Sequence, residues 1–319
     1  MKLSIVILAY NQTSTILLTC SRLAKQMSPE DGEIIIVDVS PVEIPQTALN
    51  FLLNLKAKIS YVFLKNSLNG RSAGRNIGIE KAKGSIIVLL DGDMIPDKNF
   101  INENVIVHAP GRPHLLVAGH RTWLGEIYEA AGSFSILTDE WLEQMVLLGT
   151  PPELRTRENR ELEKRAYFLA TATPWRASFT CNLSFPKSDF VPFDETYSGW
   201  GFEDWDFAWK MFTRGIQPVF RHSINAFHIE NAGCVGNIFR NPSQNGIIQY
   251  LQNSFYFYEN CMDLPWDQIF FGSERIKYNQ DAFEVVSRQN AIAPDQMQKH
   301  LILLRSKIDK GGKLYTRVI

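Results

Sequence analysis

The sequence predicts an α/β protein built on a mostly parallel sheet flanked by helices, and three observations predict it. Apolar runs that suit buried strands alternate with helix-length amphipathic segments, the spacing of β-α-β units joined by right-handed crossovers. One run, Ile86-Ile87-Val88-Leu89-Leu90, is apolar throughout and suits a central strand covered on both faces. It ends on Asp91-Gly92-Asp93. Two carboxylates therefore stand where open α/β sheets bind ligands, beyond the carboxyl ends of the strands.

The elements follow in order. Leu3 to Ala9 reads as the first strand, closed by the polar turn Tyr10-Asn11-Gln12-Thr13-Ser14. A helix runs on to about Met27, with Ile16, Leu17, Cys20, Leu23 and Ala24 on its buried side. Glu33 to Val37 is the second strand, ending at Asp38-Val39-Ser40-Pro41; a helix over Thr47 to Lys58 and a third strand over Ile59 to Leu64 come next. Asn69 to Ala82 reads as a loop rich in glycine and arginine, then a short helix with Ile77, Ile79 and Ala82 turned inward. After the acidic triplet, a helix spans Lys98 to His108 and a strand Leu115 to Gly119. Residues 121–170 change character and read as a helical insertion, with helices from Thr138 through Leu148 and from Arg155 to Tyr167.

Phe179 to Phe185 has the period of a half-buried strand. Trp205, Ala208, Trp209 and Phe212 share one face of a helix that Gly215 ends. Ile216 to Phe220 and Asn225 to Ile229 suggest two further strands. Ile247 to Tyr258 and Leu264 to Phe271 are aromatic and helical, with three roles open: packing on the main domain, lining an acceptor groove, or forming a homo-oligomer surface. A last helix over Leu301 to Ile308 precedes a turn at Gly311-Gly312.

Composition narrows the classes of function. The 319 residues are 45% apolar and 21% charged, an ordinary globular balance. With 33 basic and 34 acidic residues the net charge is -1, which gives no electrostatic reason to expect nucleic acid as a partner. Cys20, Cys181, Cys234 and Cys261 lie far apart without C-x-x-C pairing, so buried thiols are expected rather than disulfides or zinc ligands. The apolar run before Ala9 is short, meets Tyr10-Asn11-Gln12 and lacks a small-residue cleavage pattern; it reads as a strand, not a secretion signal. No apolar stretch reaches membrane-spanning length. A cytoplasmic protein is expected, or one bound to the cytoplasmic face of a membrane, where Arg305, Lys307, Lys310, Lys313 and Arg317 offer a sparse basic contact for lipid.

Candidate chemistry gathers in two regions. Two carboxylates one residue apart repel unless a cation joins them, and Mg²⁺ or Mn²⁺ carrying phosphate oxygens suits them; the plainer reading of Asp91-Gly92-Asp93 is a turn. Arg71 and Arg75 could contact phosphate, against a plainer reading as surface arginines, and neither a dinucleotide fingerprint nor a P-loop is present. In the second region, Gly199-Trp200-Gly201 argues for a tight loop. Glu203 and Asp204 follow in the first turn of a helix, where exposed amides favour negative charge. Capping accounts for one acid; a second on the rim of that loop, beside a strand carrying Asn182, suggests catalysis.

With these residues in view, the chain resembles the family-2 glycosyltransferases of GT-A fold. Ser4 to Ile7 with Tyr10-Asn11, Ile34 to Ser40, Ala73-Gly74-Arg75-Asn76-Ile77-Gly78 and Asp91-Gly92-Asp93 carry the resemblance in the first part. Phe179 to Phe185 and Gly199-Trp200-Gly201-Phe202-Glu203-Asp204-Trp205-Asp206 resemble the carboxyl-terminal signature of galactosyl- and N-acetylgalactosaminyl-transferases. The resemblance implies a catalytic domain over 1–235: a nucleotide-sugar half at 1–120, the insertion at 121–170 and an acceptor half at 171–235. A mainly helical extension follows at 236–319.

It also implies roles. Tyr10 and Asp38 would hold the base of a nucleoside diphosphate sugar, a donor whose phosphates the residue reading already gives to Arg71 and Arg75. Asp91 would contact ribose or sugar, and Asp93 with His228 would ligate Mn²⁺ or Mg²⁺. Asp204 would be the general base, Glu203 a sugar contact, Trp200 a stacking platform for the acceptor and Asn182 its neighbour. The usual second aspartate after strand two is Val39 here, so one base contact is missing. The implied reaction is inverting transfer of a hexose or N-acetylhexosamine, from a donor expected to be UDP-linked, to a glycan, lipid-linked, peptide or small-molecule hydroxyl. A retaining transferase, a sugar-nucleotide nucleotidyltransferase and a non-catalytic carbohydrate-binding scaffold are the alternatives.

Overall fold

A computed structural model describes residues 2–65, 70–124 and 174–229, with scattered helical positions beyond them, among them 249–250, 252–254 and 256–257. The expected helices of the 121–170 insertion, the aromatic stretch at 264–271 and the basic tail lie outside the described residues. The chain divides into two compact units, Met1–Glu195 with Asp204–Ala232, and Thr196–Glu203 with Gly233–Ile319.

The first unit is organised on eight strands in the order β3-β2-β1-β4-β7-β6-β8-β5. These are β1 (Leu3–Ala9), β2 (Gly32–Asp38), β3 (Ile59–Phe63), β4 (Ile86–Asp91), β5 (Met94–Pro96), β6 (Leu115–Trp123), β7 (Asn182–Pro186) and β8 (Gln217–His228). β1 pairs parallel with β2 and β4, and β2 with β3. β7 runs antiparallel to β4 and β6, β8 runs parallel to β6, and β5 runs antiparallel to β8. The mostly parallel sheet expected from the sequence is therefore mixed in its second half. β1 and β2 are buried at every position and β4 at all but its last, as apolar central strands require.

The flanking helices are α1 (Thr13–Gln26), α2 (Gln46–Leu53), α3 (Gly70–Lys81), α4 (Phe100–Val107) and α5 (Glu203–Thr213). α3 begins at Gly70, so the glycine- and arginine-rich stretch expected as a loop is already helical from there. Gly74 and Gly78, one turn apart, explain why the sequence looked like a loop. A Cβ on Gly74 would come 2.6 Å from Leu8 Cδ1, and one on Gly78 would come 2.3 Å from Val6 Cγ1. The helix lies close on β1 and β2 along this bare ridge, exchanging helix propensity for approach.

β5 is three residues long, contains Pro96 and was not anticipated. Side chains of α1 hold it: Thr19 Oγ1 donates to Met94 O at 2.9 Å, Arg22 Nε to Pro96 O at 2.9 Å and Gln26 Nε2 to Asp97 O at 2.8 Å. These bonds take up carbonyls that would otherwise be orphaned inside the molecule. β8 is one strand where the sequence suggested two, because a register shift opposite Gly119 and His120 carries residues 222–224 out of the ladder.

Candidate active site

The turn after β4 is locked to the end of β1. Leu8 pairs with Asp91, and Gly92 N donates to Leu8 O at 2.8 Å. A Cβ on Gly92 would lie 2.5 Å from Gln12 Oε1 and 3.3 Å from Leu8 O, so the triplet has no room for a larger middle residue without displacing the β1–α1 turn. The chain then passes directly into β5, whose Met94 pairs with His228 at the end of β8, and Ile229 N donates to Asp93 O at 3.0 Å. Strand pairing thus brings together two residues far apart in sequence. His228 Nε2 stands 3.4 Å from Asp93 Oδ2. The imidazole lies edge-on to Trp123 with ring centroids 4.3 Å apart.

This pair fits a divalent cation. At 3.4 Å the two atoms are beyond a good hydrogen bond. Asp93 Oδ1 and His228 Nδ1 are buried with no hydrogen-bond partner among the described residues. A carboxylate oxygen and an imidazole nitrogen are accepted ligands of Mn²⁺. No group of three or more His, Cys, Asp or Glu residues able to hold a metal occurs among the described residues. Cations that ride on nucleotides commonly complete their coordination with phosphate oxygens and water.

Asp91 is bound from the other side. Arg75 Nη2 contacts its Oδ1 at 3.1 Å, with the arginine side chain 3% exposed and the aspartate 32%. Arg75 is thus a buried helix residue rather than a surface one. Burial pushes the Asp91 carboxyl above the usual carboxylate range; Arg75 opposes that shift, the like charge of Asp93 adds to it, and Arg71 opposes it again. With a third of the side chain open to water, added positive charge at this spot would hold the ionised form.

Asp38 and Tyr10 separate. Tyr10 is 54% exposed, whereas Asp38 is fully buried. Its Oδ1 accepts from Ser40 N at 2.9 Å and from the Ser40 hydroxyl, and its Oδ2 accepts from Tyr61 OH at 2.7 Å. Burial, and then the bond to Asp38, hold the Tyr61 phenol above its usual range, so it remains a donor. Ser40 Oγ in turn accepts from Asn11 N at 2.8 Å, and Asn11 is in the left-handed region at φ 54°. The carboxylate expected to read a base is engaged as a strut between the loops after β1 and β2.

Asn182 is likewise engaged within the sheet. It is 2% exposed, and its Nδ2 donates to His120 O at 2.8 Å and Ile224 O at 3.0 Å, under the register shift of β8. A Cβ on Gly119 would meet its amide at 2.3 Å, so Gly119 makes space for this bridge. An acceptor contact from so buried an amide is not what the geometry offers. Asn76, by contrast, emerges as a clamp: it donates to Phe193 O and Glu195 Oε1, both at 2.9 Å, and accepts from Phe193 N at 2.8 Å. In the sequence its only signal was its place in the Ala73–Gly78 motif, which gives no sign of the loop it clamps.

Asp204 opens the part of α5 that belongs to the first unit. It is partly exposed, and its Oδ1 accepts from Trp205 N at 3.0 Å. Trp205 packs edge-on to Trp175, with the Arg176 guanidinium 4.7 Å over its ring. Trp200 and Glu203 belong to the second unit. There Glu203 is 7% exposed and accepts from Gly201 N at 3.2 Å, while Trp200 stacks on Tyr250 with centroids 5.6 Å apart.

A mostly parallel sheet flanked by helices, with an acidic triplet at its carboxyl edge, defines a GT-A-like fold. Residues 4–123 match the model of glycosyl transferase family 2, and residues 160–233 match a model described as the N-terminal domain of galactosyltransferase. The chain is thus similar to the family-2 glycosyltransferases over its first part and to a galactosyltransferase-type segment behind it. It is 27% identical over 278 residues to a chondroitin synthase of Escherichia coli, which covers 80% of this chain and 39% of that protein. The chain thus spans about two fifths of that relative's length. A mannosyltransferase from Pyrobaculum calidifontis, solved with GDP-Man and Mn²⁺, superposes with TM-score 0.53 at 12% identity, covering 98% of this chain and 75% of that one. S. aureus TarS in complex with UDP-GlcNAc gives TM-score 0.53 at 14% identity, covering 95% and 79%. These structural likenesses establish the fold.

Proposed function

We propose that the protein transfers a hexose or N-acetylhexosamine from a UDP-linked donor to an acceptor hydroxyl, with inversion at the anomeric carbon and with Asp204 as general base. The observation that carries this reading is the meeting of Asp93 and His228 at 3.4 Å beside Asp91 and Arg75, at the carboxyl end of the sheet of a chain similar to the family-2 transferases. Asp93 and His228 would hold a divalent cation, which supplies Lewis-acid and templating chemistry toward the diphosphate.

The chain's own groups do the rest. Arg75, and Arg71 one turn before it, neutralise charge that accumulates on the leaving diphosphate. Asp91, steadied by Arg75, receives the ribose or sugar hydroxyls. Tyr10, exposed at the mouth of β1, faces the base. Asp204 takes the proton of the acceptor hydroxyl as its oxygen bonds to the anomeric carbon and the bond to the diphosphate breaks. A carboxylate needs to come within about 2.6–3.2 Å of that hydroxyl to do so. The diphosphate departs unprotonated, so a single base suffices, and one displacement inverts the centre. Trp200, in the turn leading into α5, offers an aromatic face to the acceptor sugar.

Asp204→Asn tests the assignment. Transfer is expected to fall by about 10²–10⁴-fold, the usual contribution of a general base, while donor affinity measured by calorimetry stays within about twofold. Turnover near that of the wild type would remove Asp204 from the mechanism. NMR of the product's anomeric configuration separates the inverting reading from a retaining one.

A further inference from the structure

The parallel ladder of β1 and β2 ends where Val39 N donates to Ala9 O at 2.9 Å. Beyond it the chain separates into the turn Tyr10-Asn11-Gln12 and the loop 40–45. Tyr10 is exposed, so its ring is placed by its own backbone more than by packing. That backbone is held at two points: Asn11 N donates to Ser40 Oγ at 2.8 Å, and Tyr10 N donates to Gln12 Oε1 at 3.3 Å. Asn11 sits at φ 54°, a conformation that a residue other than glycine keeps where its surroundings over-determine it. Ser40 is fixed in turn, because its hydroxyl and its N both donate to Asp38 Oδ1, the latter at 2.9 Å. The other carboxylate oxygen accepts from Tyr61 OH at 2.7 Å, and Ile44 N donates to that hydroxyl at 3.4 Å. β3 pairs Tyr61 with Ile36, two residues before Asp38, so the phenol shares a face of the sheet with Asp38 and spans the diagonal to it. Asp38 and Ser40 are both buried, and burial with the bond to Asp38 keeps the phenol protonated and donating.

We infer that Tyr61 is a positioning residue for the donor's nucleoside: it orients the Asp38 carboxylate, which orients Ser40, whose hydroxyl oxygen fixes Asn11 N–H and so the Tyr10 ring against the base. This rests on the transferase reading above and adds to it a residue that acts from β3, two strands away from the turn. Each link is a hydrogen bond to a buried or half-buried group, so the loss of one leaves the next atom without its partner. Tyr61→Phe removes a donor from Asp38 Oδ2 and keeps the ring. Ser40→Ala removes the oxygen that Asn11 N–H bonds. Because both act along one relay, their effects overlap instead of adding. None of the links involves Asp93 or His228, so the diphosphate end of the donor is left as it was.

The test is calorimetric titration of the full chain with Mn²⁺ present, comparing two probes: the tightest binder among UDP, CDP, GDP and ADP, and inorganic pyrophosphate, which has no base. In Tyr61→Phe and in Ser40→Ala the nucleotide Kd is expected to rise about ten- to thirtyfold, with the pyrophosphate Kd within about twofold of the wild type. The double variant should lose no more than about threefold beyond either single one. Equal losses for nucleotide and pyrophosphate, an unchanged nucleotide Kd in Tyr61→Phe, or losses that multiply in the double variant overturn the inference. Wild-type protein that binds pyrophosphate as tightly as every nucleotide also overturns it, because the turn then reads no base, while the cation site stands. Wild-type protein that binds neither probe sinks the transferase reading itself, and this inference with it.

Discussion

Individual side chains near this sheet divide into those that keep a polar atom without a protein partner and those whose polar atoms brace the fold. Asp93 and His228 have buried atoms with no protein partner among the described residues, whereas Asp38 and Asn182 spend their polar atoms inside the fold. From the sequence all four look alike, because residue type and position reveal the chemistry available but not where hydrogen bonds close. His108 belongs to the bracing class and has a measurable signature. Its Nε2 lies 2.9 Å from Ser184 Oγ. Burial pushes it from 6.5 down to about 4; Asp189 opposes that shift and His114 reinforces it. The folded state therefore binds this proton less readily than the unfolded chain does. The stability associated with neutral His108 is complete above pH 6.5, drains away as pH falls from 6.5 toward 4, and levels off below. Since the ring is partly open to water, the loss should be on the order of 1–3 kcal/mol. Urea denaturation at pH 7.5 and 4.5 should show a smaller pH-dependent loss for His108→Gln than for the wild type; equal losses would assign the acid sensitivity elsewhere.

At the scale of elements, strand identity was legible and strand partnership was not. β1, β2, β3 and β4 fall close to their expected places because apolar runs bounded by polar turns announce buried strands. β5 escaped notice because three residues ending in proline have no periodicity; it exists through the carbonyl bonds from α1 and the pairing with β8. α3 was foreshortened for the opposite reason. Its glycines signal a loop locally, but in the fold they let the helix press on β1 and β2. That account makes Gly78→Ala destabilising although alanine is the better helix former. The new methyl would meet Val6 Cγ1 at 2.3 Å and Val37 Cγ2 at 3.2 Å. Overpacking costs about 1–3 kcal/mol and the propensity gain returns about 1, leaving a net loss of up to about 2 kcal/mol. A lowered thermal midpoint is the expected result; a raised one would mean the helix stands further from the sheet.

Over the whole molecule, the proposed reaction class was readable because the acidic triplet and the Gly-Trp-Gly-x-Glu-Asp block occur in one order in one chain, and the two family models match residues 4–123 and 160–233 in that same order. The pairing of Asp93 with His228 was reached only through resemblance, since nothing in the sequence announces that β5 and β8 meet. Acceptor identity leaves no comparable trace in the sequence. Among the described residues no helix is long and apolar enough to cross a membrane. The central claim is that the carboxyl end of the sheet binds a nucleoside diphosphate sugar together with a cation held by Asp93 and His228. It is tested most directly by titrating a panel of nucleotide sugars into the protein with Mn²⁺ or with EDTA. One UDP-sugar should bind and be slowly hydrolysed only with the metal, and Asp93→Asn and His228→Asn should each weaken metal-dependent binding by about 10–100-fold or more. Binding that is indifferent to metal and to both substitutions would contradict the account.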